Sequence, residues 1–380
     1  MPDKILFDGR FLSLSHAGIG RYSCELFKSI LLLDKKQPYI LLVMPKVKFE
    51  KELLQAMNER ETPVEVIETT SAHYTVAEQF TLLGILKELK PALVHFPHFN
   101  HPVFYKGKFV VTIHDLTLSQ YAERGSMVKR IAYNSVIRRA AKNATKVLTV
   151  SEYVKGDLIS TYKIPPKKIV TTYNGIDEKF KVITNPASLR RVSKYGLDKP
   201  YILSVGQWRS HKNLLRLVDA FYDIAKNSDW AGKLDLVFVG KIDRKYPELP
   251  HRVMKLKLQN DVKFTGFVED EDLPIIYNNA KAFVFPSLAE GFGLPGLEAQ
   301  ACGIPLISSD RTSLPEIYGK GALYFNPENI VDMTNKILKV LNDDKFRREL
   351  IERGEQNAKR FSWQKTAKKT LEVYREIVYK

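Results

Sequence analysis

The stretch AFVFPSLAEGFGLPGLEAQACGIPLISS, residues 282–309, contains one complete unit of the predicted fold. A short apolar run at 282–285 predicts a buried strand, and a glycine-rich loop follows it. Pro295 then stands near the first turn of a predicted helix, the position that proline tolerates best. A second run at 305–309 predicts the next strand. Strand, loop, helix and strand in this order indicate a βαβ unit and therefore a parallel sheet.

The same alternation runs along the rest of the chain. Nearly unbroken apolar runs are typical of parallel strands that are covered on both faces. Thirteen such runs predict strands, seven in a first series and six in a second: 4–8, 39–43, 64–67, 93–96, 109–113, 146–150, 169–172, then 201–205, 234–239, 262–265, 282–285, 305–309 and 322–325. The two series predict an α/β protein with two doubly wound, Rossmann-like domains that face a deep interdomain cleft. Ligands of such sheets bind beyond the carboxyl ends of the strands.

A polar segment separates the two series. Residues 180–200 are rich in charged residues and contain two prolines and a glycine, a composition that suits an interdomain linker. We therefore predict an N-terminal domain at 1–185 and a C-terminal domain at 186–361. The last segment, 362–380, has helical periodicity, and Ser362 is its predicted N-cap.

The composition excludes several classes of protein. In 380 residues, 44% are hydrophobic and 27% charged, with 20 Gly and 19 Pro, so disordered, collagenous and coiled-coil chains do not fit. Two cysteines provide no disulfide framework, which favours a reducing compartment. No secretory signal and no run of 18 apolar residues are present. We expect a cytoplasmic protein.

The net charge of +16 raises the question of an anionic partner. The excess is spread over the chain, with +9 in residues 1–185 and +7 in the remainder. No nucleic-acid motif accompanies it, so specific nucleic-acid binding is not expected, and attraction to an anionic membrane fits better. Residues 123–144 carry six basic residues and one Glu, with apolar residues near helical spacing at Val128, Ile131, Ala132 and Val136. This segment is either a surface helix with its apolar stripe in the core or a basic helix on the inner membrane face.

Three loops that follow predicted strands carry candidate site residues. Gly18 and Gly20 precede a helix predicted to start near Arg21, and such a loop is either a phosphate contact or a tight turn. Arg209 and Lys212 follow the strand at 201–205, where a cation could neutralise a phosphate, although basic residues are also common in solvated loops.

The third loop, after the strand at 282–285, gives the most specific signal. Backbone amides at Phe292, Gly293 and Leu294 are expected to point toward the space at the helix N-terminus, which suits a diphosphate. Glu290 in the loop and Glu298, predicted in the first helical turn, are two carboxylates that accept hydrogen bonds from hydroxyl groups. Glu298 alone would also suit the helix dipole.

These residues resemble the E-x7-E element of retaining nucleotide-sugar glycosyltransferases of family 4, which have the GT-B fold. Further segments match in order along nearly the whole chain: GIGRY (18–22), TIHDL (112–116), SEYVKGDL (151–158), NGID (174–177), HKN (211–213) and FTGFVEDEDLPIIY (264–277). The resemblance is strongest to bacterial mannosyl- and rhamnosyltransferases of surface-polysaccharide assembly. It implies an acceptor-side N-terminal domain, a donor-binding C-terminal domain and a C-terminal helix that packs back on the first domain.

The resemblance also implies a role for each matching residue. Glu298 would bind the ribose of the donor nucleotide, Glu290 the donor sugar, and Lys212 the leaving diphosphate. The amides at Phe292, Gly293 and Leu294 and the Gly18–Gly20 loop would assist Lys212, Val268 would contact the base through its main chain, and His114 would lie near the transferred sugar. Gln207 stands where the family commonly has Arg, so Arg209 is the candidate for the second cation. Without the resemblance, a hydrogen-bonded structural role is the better interpretation of His114 at this strand end.

The family implies transfer of a hexose with retention of configuration and without a metal or other cofactor. His95, His98 and His101 cluster in the sequence, but no carboxylate stands at matching spacing. GDP-mannose is the leading donor, and a UDP- or dTDP-sugar is the alternative. A saccharide or lipid-linked saccharide at the inner membrane face is the expected acceptor. The main rivals are a two-domain ligand-binding protein without chemistry and a GT-B enzyme of another reaction type, such as a phosphorylase or an epimerase.

Overall fold

The structure, a computed structural model, describes residues 3–12, 17–116, 127–185, 190–240, 243 and 246–379. Its contacts divide the chain into two compact units. Residues 1–175 and 362–380 form the first unit, and residues 176–361 form the second. The domain boundary predicted after residue 185 borders residues 186–189, which lie outside the described part of the chain.

The first unit is built on a seven-stranded parallel sheet with the order β3-β2-β1-β4-β5-β6-β7. Its strands are β1 (Ile5–Asp8), β2 (Tyr39–Val43), β3 (Glu65–Glu68), β4 (Leu93–Phe96), β5 (Phe109–Ile113), β6 (Lys146–Thr149) and β7 (Ile169–Thr171). Its helices are α1 (Ala17–Leu33), α2 (Lys51–Asn58), α3 (Val76–Leu89), α4 (Met127–Asn143), α5 (Glu152–Tyr162) and α13 (Trp363–Val378).

The second unit is built on a six-stranded parallel sheet with the order β10-β9-β8-β11-β12-β13. Its strands are β8 (Tyr201–Val205), β9 (Asp235–Val239), β10 (Val262–Gly266), β11 (Ala282–Phe285), β12 (Leu306–Ser309) and β13 (Ala322–Phe325). Its helices are α6 (Leu214–Asn227), α7 (Glu248–Lys255), α8 (Leu273–Asn279), α9 (Leu294–Ala301), α10 (Leu314–Tyr318), α11 (Ile330–Asn342) and α12 (Asp344–Ala358).

All thirteen predicted strands are confirmed, each within one residue at either end. Most are fully buried because helices cover both faces of a parallel sheet, and this burial produces the unbroken apolar runs in the sequence. The strands at the sheet edges are less buried: Val66 of β3 is 42% exposed, and β10 is fully buried only at Val262. Each sheet reverses its strand order beside its first strand, β1 in one unit and β8 in the other, so the carboxyl ends there are where a ligand of such a sheet binds.

The helix starts show where local sequence rules hold and where they fail. Ser362 caps α13 as predicted, and Ser151 caps α5 in the same way, because each side chain accepts the backbone N–H three residues on. The predicted start of α1 near Arg21 was wrong, since the helix already includes Ala17. Gly18 lies in the first turn, where backbone N–H groups lack intrahelical partners, and Gly20 lies just after it, where glycine is unfavourable by propensity.

The basic segment predicted at 123–144 contains α4, while residues 123–126 lie outside the described part of the chain. The predicted apolar stripe was out of phase: Ile131 is 59% exposed, and Ile137, Ala140 and Ala141 are buried at helical spacing. In the described ranges, no helix combines the length and the apolar character that crossing a membrane requires.

Candidate active site

The carboxyl ends of β8, β9 and β10 form a close-packed edge of backbone in the second unit. The N–H of Gly206 donates to the Val239 carbonyl at 3.0 Å, and the N–H of Gly240 donates to the Gly266 carbonyl at 3.2 Å. A Cβ atom on Gly240 would lie 2.2 Å from the Gly206 carbonyl oxygen, so only glycine fits there. A small pocket opens beside this edge and is lined by the last residues of β8, β9 and β11 and by the loops after β8 and β11, among them Gln207, Trp208, Lys212 and Ser287.

Lys212, which lines this pocket, forms an ion pair with Glu290, although 78 residues separate them. The Lys212 Nζ lies 2.5 Å from Glu290 Oε1, and both side chains are largely buried, 19% and 13% exposed. The ammonium also lies 5.6 Å from the centre of the Phe285 ring. The structure therefore brings together two residues that the sequence analysis assigned to the leaving diphosphate and to the donor sugar.

The loop that carries Glu290 is held by hydroxyl groups from the segment after β12. The Glu290 N–H donates to Thr312 Oγ1 at 3.0 Å, and Ser313 Oγ donates to the Glu290 carbonyl at 2.9 Å. Thr312 has a left-handed backbone, with φ of 55°, which is uncommon for a β-branched residue. The sequence analysis missed both residues, and only the ThrSer pair shortly after a strand end marks them in the sequence.

The glycine-rich turn before α9 rests on a buried tyrosine. Gly293 caps the helix with φ of 93°, and Tyr318 donates its hydroxyl to the Gly293 carbonyl at 2.6 Å. A Cβ atom on Gly293 or Gly296 would lie 2.3 Å from the Tyr318 side chain. The turn therefore has no room for side chains on its inner face, while the N–H of Leu294, at the first helical position, has no intrahelical partner. The Phe292 side chain is buried against Phe361, so its backbone alone faces the turn.

Glu298 was predicted in the first turn of this helix and in fact lies in the second, because α9 begins at Leu294. It is 6% exposed, and Tyr277 donates a hydrogen bond to its Oε2 at 2.9 Å. This hydrogen bond from an α8 side chain fixes the position of the Glu298 carboxylate. The helix dipole alone therefore explains the presence of Glu298 less well. Tyr277 was not singled out by the sequence analysis.

Asn213 links three strand ends and was also missed. Its side-chain amide donates to the Pro286 carbonyl at 3.1 Å and to the Pro327 carbonyl at 2.8 Å, while Arg216 donates to its Oδ1. The neighbouring His211 carbonyl accepts from the Leu288 N–H at 2.7 Å. These bonds tie the loop of Lys212 to the loop of Glu290. An Asn directly before a helix signals a cap, but here its side chain binds other loops.

Arg209 and Val268 occupy positions apart from the Lys212–Glu290 pair. The Arg209 guanidinium lies 3.7 Å from Asp243 and 5.5 Å from the centre of the Tyr246 ring. It is thus engaged by the segment that follows β9. Val268 lies partly buried in the loop after β10, next to Phe267, which is 75% exposed.

The first unit carries the remaining predicted residues. His114 follows β5, and its Nε2 lies 2.8 Å from the Pro97 carbonyl, so Nε2 carries the proton and Nδ1 keeps a lone pair. Burial lowers the pKa of His114, which favours the neutral ring. Tyr22 packs edge-on against this ring at 4.5 Å. Gly18 is exposed in the first turn of α1, where an added Cβ would meet nothing within 4 Å, and Gly20 is buried.

The three histidines weighed as metal ligands have other partners. His95 is bound by the Tyr374 hydroxyl and by Thr112, and burial lowers its pKa to about 3. His101 Nδ1 lies 3.0 Å from the Phe99 carbonyl, and burial lowers its pKa to about 4. His98 is treated below. Over the described ranges, no group of three or more His, Cys, Asp or Glu side chains is placed to hold a metal ion.

The two parallel-sheet, Rossmann-like units have the GT-B fold that solved glycosyltransferases share. The chain belongs to this class by sequence as well: residues 45–180 match Glycosyltransferase Family 4, and residues 187–357 match Glycosyl transferases group 1. The family and the fold that the sequence analysis expected are therefore confirmed.

Known proteins resemble the chain over most or nearly all of its length. O-antigen chain mannosyltransferase B of Escherichia coli is 27% identical over 98% of this chain and 99% of that protein. O-antigen chain mannosyltransferase RfbU of Salmonella typhimurium is 31% identical over 60% of each. The solved sucrose-phosphate synthase of Thermosynechococcus elongatus has a TM-score of 0.80 at 19% identity and covers 99% of both chains.

Proposed function

We propose that this glycosyltransferase moves mannose from GDP-mannose, with retention of configuration, to a saccharide or lipid-linked saccharide during assembly of a surface polysaccharide. The O-antigen mannosyltransferases among its relatives support the sugar and the pathway class. The basic composition supports an acceptor or membrane of negative charge. A UDP- or dTDP-sugar in place of GDP-mannose is the alternative that the experiment below separates.

The observation that carries the proposal is the Lys212–Glu290 pair beside the glycine turn of α9. In this proposal Lys212 binds an oxygen of the diphosphate, and the N–H groups of Gly293 and Leu294 add donors at a helix N-terminus. Glu290 then accepts hydroxyl groups of the sugar, while Glu298, placed by Tyr277, accepts the ribose hydroxyls. We retain Arg209 as a candidate second cation, although its contacts are with Asp243 and Tyr246.

The reaction breaks the bond between the anomeric carbon and the phosphate oxygen, and the electron pair leaves with the diphosphate. Lys212 and the turn amides stabilise the negative charge that develops there. The acceptor hydroxyl attacks from the same face, and its proton passes to the departing phosphate oxygen. We retain His114 as the candidate residue near the transferred sugar. The proposed route uses no covalent nucleophile and no metal ion.

We also propose that the enzyme works at the cytoplasmic membrane face as a peripheral protein. Arg138, Arg139 and Lys142 are exposed on α4, and Ile131 is 59% exposed on the same helix. Basic side chains beside an exposed apolar residue suit contact with anionic lipid headgroups. Binding to vesicles with and without anionic lipid tests this part separately.

The donor is tested first by thermal unfolding with GDP, UDP, dTDP and ADP, each with Mg²⁺ and with EDTA. A nucleotide at 100 times its Kd stabilises the folded state by about 2.7 kcal/mol, which raises the melting temperature by a few degrees. We expect GDP alone to do so, equally in EDTA. Transfer from GDP-mannose to a mannoside primer, with NMR of the product, then reads the anomeric configuration. Stabilisation by another nucleotide would replace the donor, and an inverted product would refute retention.

A further inference from the structure

A tyrosine held in an unfavourable backbone conformation stands out in the first unit. Tyr74 has φ of 61°, and its side chain is 63% exposed. Non-glycine residues with this geometry persist where surrounding contacts fix them, and such positions are concentrated at functional sites. An exposed aromatic ring offers an apolar face to a ligand, so the contacts that hold Tyr74 decide whether this geometry is built into the fold.

A buried ionic network fixes the backbone of Tyr74. Its N–H donates to Glu78 Oε2 at 2.8 Å, and Glu78 is fully buried. The other oxygen of Glu78 accepts from Arg10 at 2.7 Å, and Arg10 in turn binds both oxygens of Asp8 at the end of β1. Arg10 also donates to the Ser71 carbonyl at 3.2 Å. The loop of Tyr74 is therefore anchored to the carboxyl end of the sheet.

Two histidine rings continue from Tyr74 along this strand edge. The His98 ring lies 6.0 Å from the Tyr74 ring, centre to centre, and 6.3 Å from the His114 ring, to which it is nearly parallel. We call Tyr74, His98 and His114 the aromatic row. Phe11 and Phe99 pack against His98 at 5.2 and 3.9 Å and support the row from the core.

The row presents complementary hydrogen-bonding groups. His98 Nδ1 accepts the Asn100 N–H at 3.3 Å, and burial keeps the ring neutral, so its proton is on Nε2, which has no acceptor in the described part of the chain. His114 offers the opposite group, a lone pair on Nδ1, because its Nε2 donates to Pro97. One donor, one acceptor and an exposed ring are what a pyranose requires, since each sugar hydroxyl both donates and accepts.

We infer that the aromatic row is a saccharide subsite, in which a sugar ring of the acceptor packs on Tyr74 and hydrogen-bonds to His98 and His114. This inference rests on the proposed function, because it assigns the sugar to the acceptor. The neutral, ring-lined surface selects an uncharged hexose unit. The net positive charge of the chain then acts on other parts of the acceptor.

Variants of Tyr74 that tolerate a left-handed backbone test the subsite without straining the fold. Tyr74→Gly and Tyr74→Asn remove the ring at a φ that Gly and Asn adopt readily, and Tyr74→Phe keeps the ring. The control is Phe80→Ala, since Phe80 is 67% exposed on α3 and makes no ring contact with the row within the described ranges. Saturation-transfer NMR with methyl α-mannoside and α-mannobiose as probes reports sugar binding independently of turnover.

We expect Gly and Asn at position 74 to weaken probe binding and to raise the acceptor KM by about tenfold, because the apolar area of one ring face is lost. Phe80→Ala should leave both within about twofold, Tyr74→Phe should bind the probes better than the Gly and Asn variants because it keeps the ring, and GDP should stabilise all variants equally. Unchanged probe binding in the Gly and Asn variants, or none in the wild type, overturns the subsite. If GDP does not stabilise the wild type, that result counts instead against the proposed donor. Failure of the subsite and failure of the proposed donor are therefore distinguishable.

Discussion

Replacement of Lys212 by Met removes the charge at the centre of the proposed diphosphate site and keeps the unbranched apolar stem over Phe285. At an effective dielectric constant near 20, the 2.5 Å between Nζ and Glu290 Oε1 corresponds to about 7 kcal/mol of direct attraction. Desolvation cancels most of this, and the pair is intermediate between an exposed and a buried one. We therefore expect Lys212→Met to lower the free energy of unfolding by about 2 kcal/mol.

The effect on catalysis should exceed the effect on stability. A preorganised donor that stabilises charge developing on a leaving oxygen is worth about 3–4 kcal/mol, so kcat should fall by about 10²–10³. The affinity for the nucleotide should fall less, since the turn amides and Glu298 remain. Lys212→Arg keeps the charge in another geometry and should recover part of the rate.

Single-turnover transfer from labelled donor, with calorimetric titration of the nucleotide, separates these effects. Lys339→Met is the matched control, because Lys339 also lies over an aromatic ring, 4.3 Å from the centre of Phe346, and lies outside the candidate site. A rate for Lys212→Met within about threefold of the control would refute the assignment of Lys212 to the leaving group.

Three further perturbations have defined outcomes. Glu298→Gln keeps the shape of the side chain but removes its charge, so the nucleotide Kd should rise by about 10-fold to 100-fold, and an unchanged Kd in calorimetry would exclude a ribose contact. Gly296→Ala forces a Cβ to within 2.3 Å of the Tyr318 ring and should cost about 1–3 kcal/mol in urea unfolding, whereas Gly84→Ala, with nothing within 4 Å, should be neutral or stabilising. The low pKa of His95, about 3, means that the unfolded chain binds a proton below about pH 6.5 that the folded chain does not, so stability should fall by about 1.4 kcal/mol per pH unit as the pH drops from 6.5. Equal unfolding midpoints at pH 7 and pH 5 would contradict this.

The strands could be predicted because a buried parallel strand produces a run of consecutive apolar residues in the sequence. The run AFVF at 282–285 is apolar throughout because both faces of β11 are covered, and YILSV at 201–205 is apolar except for the buried Ser204. The starts of the helices are marked less reliably in the sequence. Ser362 marks α13 by its capping side chain, whereas two glycines near the start of α1 displaced its predicted start by four residues.

The residues of the candidate site also fall into those that could be predicted from the sequence and those that could not. Lys212, Glu290 and Glu298 could be found because a diphosphate and sugar hydroxyls require a cation and carboxylates, and such residues after a strand end are few. Tyr277 and Tyr318 could not be found, because a tyrosine on a short apolar helix is indistinguishable in the sequence from any core aromatic residue. Their roles depend on hydrogen bonds to residues 21 and 25 positions away.

Arg209 shows the limit of replacing one residue by another of the same charge. Gln207 stands where the family commonly has Arg, so the cation is missing at that position. Arg209, two residues later, was the nearest basic residue in the sequence that could replace it. Its guanidinium instead contacts Asp243 and Tyr246, beyond the end of β9, whereas Lys212 is held over Phe285 at the end of β11. The loop still contains a basic residue, but the position of its charge in the structure depends on which strand end the loop approaches. Because stabilisation of a leaving group depends on distance, the number of cations in a loop does not define its chemistry, and Lys212 must supply most of the charge that the proposed reaction needs.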